Sequence, residues 1–383
     1  MTRLYVIRHA EAEGNLYRRV HGWYDSLITE RGYRQIAALA GRFEGEHIDA
    51  VYSSDLFRTR TTAGAIYRTH GLELTVRRSL REISFGAWED RPWGELGHDH
   101  ADALKLFDTG SSAFRAPGGE TFPEAGARVT AAVRQIAKNH PGQTVAVFSH
   151  GTVIRQLQGA VQGLAQEELH VLGHADNTAV TCIEAGGDTL RMIFHNDNSH
   201  LPEEISTLAH QTWWKAQNGA VKDPSLRFRP LDMEREARIY HDARREAWIN
   251  IHGTLEQFDG EGFVRDALAQ WRYDRRAVTA AFLGEELAGL IQMDLRRDAE
   301  KGVGYIPFFY MMPGRRKQGL GVQLLGEAVS VYRPLGRKYL RLRCAPDNYV
   351  AQRFYRRYGF CKAAEAEGTR VPLDIMEKYI GYD

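Results

Sequence analysis

The sequence predicts two domains, an α/β domain in the first half and an α+β domain with a mixed sheet in the second. The chain has 383 residues, which exceeds the size of about 250–300 residues at which a single hydrophobic core stops growing. In the first half, short apolar runs alternate with helical patterns. In the second half, a strand is followed by two helical stretches and a strand pair. We therefore place the domains at 1–200 and 225–383, joined by a linker at 201–224.

The elements of the first domain follow from local patterns. The apolar strand RLYVI leads directly into Arg8 and His9, and the buried strand QTVAVFS leads into His150. Thr29 is suited to cap the helix TERGYRQIAALAGRF, and Gly71 is suited to end the helix that starts at FRTRTTA. The other predicted elements are the strand HIDAVYSSD, the helix TFPEAGARVTAAVRQIAKNH, and a hairpin formed by TAVTCIEA and TLRMIFH.

The elements of the second domain begin with the strand SLRFRPL at 225–231. Two helical stretches follow, and then a strand pair that turns at Gly284 and Glu285. The later predicted elements are the strand GYIPFFYMM, the helix RRKQGLGVQLLGEAVSVY, the strand KYLRLRCAP, the helix NYVAQRFYRRYGF and the strand PLDIMEKYI. The linker is polar, with one apolar cluster of Leu208, Trp213 and Trp214.

Composition and cysteine spacing narrow the function classes. The formal net charge is +1, so the chain as a whole has no strong electrostatic field that would attract nucleic acid or a membrane surface. Small-molecule partners are therefore favoured. The three cysteines, at 182, 344 and 361, form no CxxC pair and no zinc-type cluster with histidine. We interpret His98 and His100 as part of a solvated loop and not as a metal site. No signal peptide and no apolar run of ~18 residues is visible, which predicts a cytoplasmic protein.

Four separated segments place charged or ionisable side chains at the ends of predicted strands or the starts of predicted helices. In an open α/β sheet such ends converge on one crevice. The segments are Arg8-His9, SSDLFRTRTTA, LREISFGAWE and FSHG. The sequence therefore predicts that their side chains form one site.

The residue types in this predicted site fit phosphoryl transfer. Arg8 and Arg58 can each contact phosphate oxygens through two N–H groups, and His150 can add a further cationic donor. His9 is the candidate nucleophile, because imidazole can form a covalent phospho-intermediate. Glu82 can hold the proton that the leaving oxygen requires. Because side chains supply the cations, we expect no need for Mg²⁺.

Five motifs in these segments resemble motifs of the histidine phosphatase superfamily, in its phosphoglycerate mutase-like branch. The family's R-H-G-[EQ]-x-x-x-N appears as RHAEAEGN, with Ala10 in place of glycine and Ala12 in place of the usual Ser or Thr. The other four appear as GWYDSLITERG, SDLFRTRTTA, LREISFGAWE and Ser149-His150-Gly151. The resemblance covers roughly residues 1–200 and implies a three-layer sandwich of helices and sheet.

The same resemblance implies a role for each matching residue. His9 becomes the phosphate acceptor and Glu82 the proton donor. The implied phosphate pocket consists of Arg8, Asn15, Arg58 and His150. Mutases of this branch carry a longer insertion and a basic cluster after the acid, whereas ISFGAWEDRPWGEL here contains a single arginine, Arg91. We therefore expect hydrolysis of a small-molecule phosphate ester, with a mutase-type phosphotransferase as the alternative.

A further motif, RRKQGLG at 315–321, lies where a predicted strand ends and a helix begins. N–H groups at a helix N-terminus bind anions, and glycine lets a pyrophosphate approach the backbone. This motif and the later NYVAQRFYRRYGF, from Asn348 to Phe360, resemble two motifs of the GNAT acetyltransferase superfamily. The resemblance spans roughly 226–383 and implies acetyl-CoA as cofactor and a small-molecule amine as acceptor.

The GNAT resemblance also assigns residues to acetyl-CoA. Phe309 and Met311 would pair with the pantetheine arm, Asn348 would contact CoA, and Tyr355 would protonate the leaving thiolate. The backbone amides that would cradle the pyrophosphate belong to Arg316, Lys317, Gln318, Gly319, Leu320 and Gly321. The central strand GYIPFFYMM contains no acid, so the general base is unassigned, with a water chain or Tyr305 as options.

Together the two constellations predict a bifunctional enzyme, a metal-independent phosphatase fused to an N-acetyltransferase. The alternative is a phosphatase whose GNAT domain binds acetyl-CoA only as a regulator, because the central strand lacks an acid. The identities of the phosphate ester and of the amine are left open, as is the oligomeric state.

Overall fold

The structure of the protein is a computed structural model that describes residues 1–211 and 224–383. Half of the predicted linker at 201–224, including Trp213 and Trp214, therefore lies outside the described residues, and the domain boundary stays a prediction. The described chain forms two compact units. The second unit comprises Pro92–His98 and Pro224–Asp383, and the first comprises the remaining described residues.

The first unit contains one mixed sheet of six strands. The strands are β1 (Thr2–Arg8), β2 (Ala50–Ser53), β3 (Leu74–Val76), β4 (Thr144–Ser149), β5 (Val180–Gly186) and β6 (Thr189–Asp197). Their order across the sheet is β3-β2-β4-β1-β5-β6. The first four strands in this order are parallel, whereas β5 and β6 form an antiparallel hairpin. The carboxyl ends of β1, β2 and β4 therefore meet at one edge of the sheet.

Helices cover both faces of this sheet. The helices in this half of the chain are α1 (Glu13–Tyr17), α2 (Glu30–Phe43), α3 (Phe57–Tyr67), α4 (Trp93–Asp99), α5 (Ala101–Asp108), α6 (Phe122–Asn139) and α7 (Gly151–Gln162). Leu39 of α2 and Ile66 of α3 pack with Ile7 and Phe148 on one face. α6 and α7 contact β1, whose Leu4 and Val6 are buried. The predicted three-layer α/β sandwich is confirmed.

Local signals account for several helix ends in the first unit. Thr29 caps α2, where its hydroxyl accepts the N–H of Gly32 at 3.0 Å. Thr121 and Glu124 form a reciprocal capping box at the start of α6. The interpretation of 98–100 as a loop was wrong, because His98 lies in the last turn of helix α4. No described group of three or more His, Cys, Asp or Glu side chains has the arrangement of a metal site.

The second unit contains a seven-stranded mixed sheet. The strands are β7 (Arg227–Pro230), β8 (Val278–Leu283), β9 (Glu286–Asp294), β10 (Val303–Met311), β11 (Tyr339–Cys344), β12 (Cys361–Ala366) and β13 (Leu373–Tyr379). Their order is β12-β13-β11-β10-β9-β8-β7, and only β10 and β11 are parallel. The predicted α+β architecture with a mixed sheet is confirmed.

Helices lie on both faces of this sheet. The helices are α8 (Ala237–His252), α9 (Gly260–Tyr273), α10 (Gly321–Tyr332) and α11 (Tyr349–Arg357). Tyr240 of α8 and Trp271 of α9 pack with Phe308 and Tyr310 of β10. α10 contacts β9, β10 and β11, with Leu324 and Ala328 fully buried. None of the described helices is long and apolar enough to cross a bilayer.

Candidate active sites

His9 leaves the carboxyl end of β1 and is 2% exposed. Its backbone N–H donates to Ser149 O at 3.1 Å, and its carbonyl accepts the side-chain amide of Asn177 at 2.9 Å. Its Nδ1 lies 2.7 Å from Ala10 O. Because a carbonyl oxygen can only accept, Nδ1 carries the proton and Nε2 carries the lone pair. His9 is thus held in the tautomer that a nucleophilic Nε2 requires.

The surroundings of His9 keep its ring neutral. Burial lowers the pKa of His9 well below its usual range, and the charges of Arg58 and Arg8 lower it further. The His150 ring centroid lies 5.2 Å from that of His9. The structure therefore brings the predicted histidine pair together beside two guanidinium groups.

Arg58 is fully buried in the first turn of α3. Its Nη1 donates to Tyr24 O at 3.0 Å, and its Nη2 donates to His21 O and Gly22 O at 2.8 and 2.7 Å. Its Nε has no hydrogen-bond partner. Because these three partners are neutral carbonyls, they fix the direction of the guanidinium group without neutralising its charge.

Arg8 and His150 also have buried nitrogen atoms without a hydrogen-bond partner. Arg8 Nη1 donates to Ala175 O at 2.5 Å, while its buried Nε has no partner. His150 precedes the first turn of α7, where its Nε2 lies 3.0 Å from Ser54 Oγ and its buried Nδ1 has no partner. A Cβ placed on Gly151 would lie 3.1 Å from Arg8 Nε, which shows how close these groups are.

Glu82 faces the same helix end. Its Oε1 accepts the backbone N–H groups of Ile83 and Val153 at 2.9 and 3.1 Å, and its Oε2 accepts that of Thr152 at 3.0 Å. Two of these donors belong to the first turn of α7, so the carboxylate caps the helix that follows His150. The predicted acid is therefore held rigidly beside the predicted phosphate pocket.

Asn15 and the two alanine departures lie in and beside the short helix α1. Asn15 Oδ1 accepts the N–H of Ala12 at 3.1 Å, which fixes the orientation of its amide. Ala10 and Ala12 are fully buried and pack with Ile28. Ala10 is not among the residues with positive φ, so this position does not need the conformational freedom of glycine.

His21 is a site residue that the sequence reasoning missed. Its ring centroid lies 5.6 Å from that of His9, in an edge-to-face arrangement, and its Nδ1 lies 3.3 Å from Ser26 Oγ. Burial and the charges of Arg58 and Arg8 lower its pKa well below the usual range. A Cβ on Gly14 would lie 2.2 Å from the His21 ring. The available signal was its position directly before the GWYD motif.

In the second unit, strands β10 and β11 separate at the end of β10 where the CoA site was predicted. β10 pairs with β11 only from Val303 to Ile306, although both strands continue further. Pro307 follows the last pair and has no N–H to donate, and the register with β9 is irregular there. The two strands therefore separate beyond Ile306, which leaves the β11-facing edge of Phe309 and Met311 without a strand partner.

The loop before α10 has the backbone shape of an anion cradle. Lys317 and Gly319 have positive φ values of 60° and 75°, and Gly321 begins the helix. Lys317 and Gln318 are exposed, whereas Leu320 is buried and anchors the loop. A Cβ on Gly321 would lie 3.2 Å from the Phe354 ring. The loop and helix start therefore fit the pyrophosphate of acetyl-CoA.

The side chains assigned to acetyl-CoA differ in how they are held. Tyr355 is buried, and its ring lies 6.0 Å from that of Phe309. Burial raises the pKa of Tyr355, so the phenol stays protonated at neutral pH. Asn348 caps α11, where its Oδ1 accepts the N–H of Ala351 at 3.2 Å. The Arg316 guanidinium donates to Met311 O at 3.0 Å.

An acid lies beside the central strand although the strand itself contains none. Glu246 of α8 accepts Nη2 of Arg316 at 2.6 Å. Burial and a hydrogen bond with Glu246 raise the pKa of Tyr310 on β10. The side chain of Arg316 therefore points towards α8. The backbone that follows Arg316 leads into the start of α10.

Comparison with known proteins places both units. Residues 4–198 match the model of the histidine phosphatase superfamily (branch 1), and residues 239–360 match the acetyltransferase (GNAT) family. The probable phosphoglycerate mutase GpmB of Photorhabdus laumondii is 34% identical over 164 residues, which cover 43% of this chain and 76% of that protein. The protein of the same name from Yersinia pestis gives the same identity and coverage.

A solved structure gives the same assignment for the first unit. Bacillus stearothermophilus YhfR is 32% identical, covers 52% of this chain and 99% of its own, and aligns with a TM-score of 0.50. Fold, site and family model together define a phosphoglycerate mutase-like α/β domain with a GNAT domain behind it. The chain belongs to the histidine phosphatase superfamily, branch 1.

Proposed function

We propose that the first unit hydrolyses a small-molecule phosphate ester through a phosphorylated His9. The observation that carries this proposal is the set of buried polar atoms without a partner beside a neutral His9. These atoms are Arg8 Nε, Arg58 Nε and His150 Nδ1. An unpaired buried donor costs about 1–3 kcal/mol. The oxygens of a phosphoryl group would accept from both guanidinium Nε–H groups, and from His150 Nδ1 in the tautomer that places the ring proton there.

The proposed reaction has two steps. In the first, His9 Nε2 attacks phosphorus, the bond from phosphorus to the ester oxygen breaks, and Glu82 gives its proton to the departing oxygen. In the second, water attacks the phosphohistidine, Glu82 takes a proton from that water, and the bond from phosphorus to nitrogen breaks. Phosphate leaves, and both side chains return to their starting states. The cationic side chains match the charge on the transferred group.

Hydrolysis is favoured over mutase activity by the region that follows Glu82. The single arginine there, Arg91, donates to Asp99 at 2.9 Å and lies 2.8 Å from His100 Nε2, so its guanidinium group is engaged by protein partners. Mutase-type phosphotransfer remains the second candidate, because two relatives carry the name probable phosphoglycerate mutase.

The test uses the full chain with p-nitrophenyl phosphate in the presence of EDTA. We expect phosphate release that His9→Ala abolishes and that His47→Ala leaves unchanged, because the side chain of His47 is exposed and pairs with Asp49. Release that persists in His9→Ala would remove the phosphohistidine. With 3-phosphoglycerate, formation of the 2-phospho isomer without net phosphate release would favour the mutase.

We further propose that the second unit transfers the acetyl group of acetyl-CoA to a small-molecule amine. Acetyl-CoA would supply an activated thioester, held by the 316–321 backbone and the free edge of β10 at Phe309 and Met311. Asn348, besides capping α11, would contact CoA. Tyr355, whose phenol burial keeps protonated, would give its proton to the thiolate, and the proton that the amine loses would return through water to the tyrosinate.

The matched test compares two tyrosines of α11. Tyr355→Phe should lower the turnover of acetyl-CoA at least tenfold with little change in its KM, measured as release of free CoA thiol with a panel of amines. Tyr349→Phe should have no effect, because Tyr349 is 74% exposed. Calorimetric binding of acetyl-CoA without turnover of any amine would instead favour the regulatory alternative.

A further inference from the structure

Arg244 of α8 forms a cluster on the face of the second sheet that α8 and α9 cover. Its Nε donates to Tyr240 Oη at 2.7 Å, and its Nη2 donates to Gln292 Oε1 at 2.6 Å. Its guanidinium carbon lies 4.0 Å from the ring centroid of Phe308 and 4.5 Å from that of Phe263. The guanidinium plane is therefore oriented by two hydrogen bonds and two aromatic rings.

The charge of Arg244 is not neutralised by a protein contact. Both of its hydrogen-bond acceptors are uncharged, and no described carboxylate lies within 4.0 Å of it. Asp266 acts on it only at longer range. Gln292 is itself buried and donates to Gln270 at 2.9 Å, so the polar groups around Arg244 are already in use. A partly buried cation is normally paired, and this one is not.

Arg244 is nevertheless accessible to a ligand. The residue is partly exposed, and its Nη1 donates to no described group. An arginine stays charged at all physiological pH values, so Nη1 and Nη2 remain donors. Two guanidinium nitrogens on one edge match the two oxygens of a carboxylate.

The position of Arg244 relates it to acetyl transfer. Phe308, under the guanidinium group, immediately precedes Phe309, whose strand edge is the proposed seat of the pantetheine arm. Successive side chains of a strand point to opposite faces. A group bound at Arg244 would therefore lie beside the same segment of β10 as the acetyl donor, on the face covered by α8 and α9.

From this arrangement we infer that Arg244 binds a carboxylate of the acetyl acceptor, so that the acceptor is an amine that also carries a carboxylate, as amino acids do. The inference rests on the proposed acetyl transfer. A carboxylate fits better than a phosphate because the cluster offers one unneutralised cation, whereas the phosphate pocket of the first unit gathers two guanidinium groups and three imidazoles.

The experiment compares amines that differ only in the carboxylate. Release of CoA thiol by the full chain is measured with leucine and leucinamide, phenylalanine and phenylalaninamide, and β-alanine and its amide, with phosphoethanolamine as the phosphate arm. The carboxylate member of at least one pair should have a kcat/KM at least tenfold above that of its amide. Arg244→Gln should remove this preference by raising KM tenfold or more, while turnover of the amide stays within twofold.

Two further variants separate recognition from folding. Arg244→Lys keeps the charge but loses the planar fork, so it should retain part of the preference. Arg275→Gln removes an exposed arginine stacked on Trp271, with the guanidinium carbon 3.4 Å from the ring centroid, and should retain all of it. Circular dichroism melting checks that each variant is folded. The inference is overturned if both members of every pair have equal kcat/KM in the wild type, or if Arg244→Gln keeps the preference. It is also overturned if Arg244→Gln lowers kcat/KM for phosphoethanolamine more than for the carboxylates.

Failure of acetyl transfer is distinguishable from failure of the carboxylate site. If no amine releases CoA thiol, the proposed transfer fails, and calorimetric titration of the same carboxylates into the wild type and Arg244→Gln decides the site. Binding that the variant loses supports it. Equal binding to both proteins, or no binding to the wild type, overturns it.

Discussion

At the scale of single residues, the phosphate site combines groups that sequence motifs reveal with one that they do not. Arg8, His9, Arg58 and His150 each belong to a motif, and the structure brings them together. His21 belongs to none of the quoted motifs, and its role depends on packing that only coordinates show. Motifs identify the residues that family members share, but a side chain positioned by a neighbouring turn leaves no spacing signal.

Gly14 provides the space for His21, which leads to a prediction. In Gly14→Ala the new methyl group would lie 2.2 Å from the His21 ring, so the ring or the α1 backbone must shift and the contact between His21 and His9 must change. We expect kcat/KM for p-nitrophenyl phosphate to fall about tenfold, the scale of one lost transition-state contact of ~1.4 kcal/mol. Steady-state kinetics with a check of melting temperature measure this.

The matched control is Gly41→Ala in α2, where an added Cβ meets nothing within 4 Å. This change should leave the kinetics unaffected and stabilise the helix by about 0.5–1 kcal/mol. If Gly14→Ala behaves like Gly41→Ala, then His21 does not contribute to the site.

The buried histidines predict a dependence of stability on pH. The pKa values of His9, His21 and His150 are lowered well below 6.5, and burial lowers that of the half-buried His200 to about 4. Below pH 6.5 the unfolded chain binds protons that the folded chain does not, so the free energy of unfolding falls as pH falls. The slope per histidine is up to ~1.4 kcal/mol per pH unit, and no effect arises above the unfolded pKa.

Urea unfolding between pH 8 and pH 5 measures this dependence. His21→Gln removes one of the four groups and should make the acid slope shallower than that of the wild type. His47→Gln is the control, because His47 is exposed. A stability that does not change from pH 7 to pH 5 would contradict the burial of these histidines.

At the scale of elements, many helices and strands follow from sequence periodicity, whereas others were not predicted, among them β3, α4, α5, α7 and β12. Strands buried on both faces, such as β1 and β4, appear as continuous apolar runs, and α2 and α6 carry recognisable caps. The edge strand β12 was not predicted, because five of its six residues are exposed and no apolar alternation marks it. Its pairing with β13 is a tertiary property that a local pattern does not encode.

Glu82 caps α7 and is also the proposed proton donor, so its substitution tests both roles. Glu82→Gln keeps an oxygen for the helix N–H groups but cannot supply a proton. We expect kcat/KM, which reports only the first step up to loss of the leaving group, to fall at least 100-fold for alkyl phosphates. p-Nitrophenyl phosphate should lose much less, because its leaving group needs no proton. Placing an amide N–H near the N–H of Thr152 should cost about 1–2 kcal/mol in unfolding free energy.

A second helix-capping glutamate serves as the control for Glu82→Gln. Glu124 accepts the N–H of Thr121 at 2.8 Å in the capping box of α6 and is exposed. Glu124→Gln should lower stability slightly and leave both substrates unaffected. Equal losses for alkyl and nitrophenyl phosphates in Glu82→Gln would mean that Glu82 positions α7 and does not act as the acid.

At the scale of the whole molecule, each candidate site is built from residues of one unit. The phosphate site uses Arg8, His9, His21, Arg58, Glu82 and His150, all of which lie in the first unit. The acetyl-CoA and acceptor sites use β10, α8, α10 and α11 of the second. No described side chain is assigned to both sites.

This separation predicts that the two activities are kinetically independent, which distinguishes the bifunctional enzyme from the regulated phosphatase. His9→Ala should abolish phosphate release without changing CoA thiol release, and Tyr355→Phe should do the reverse. Acetyl-CoA added at saturation, as established by calorimetry, should leave kcat/KM for p-nitrophenyl phosphate within twofold. A larger change would demonstrate coupling, since a ligand alters a second site only through a difference in its affinity for two states of the protein. In that case the same coupling energy must appear in the reverse measurement, as an altered affinity for acetyl-CoA when vanadate, an analogue of the transferred phosphoryl group, occupies the first site.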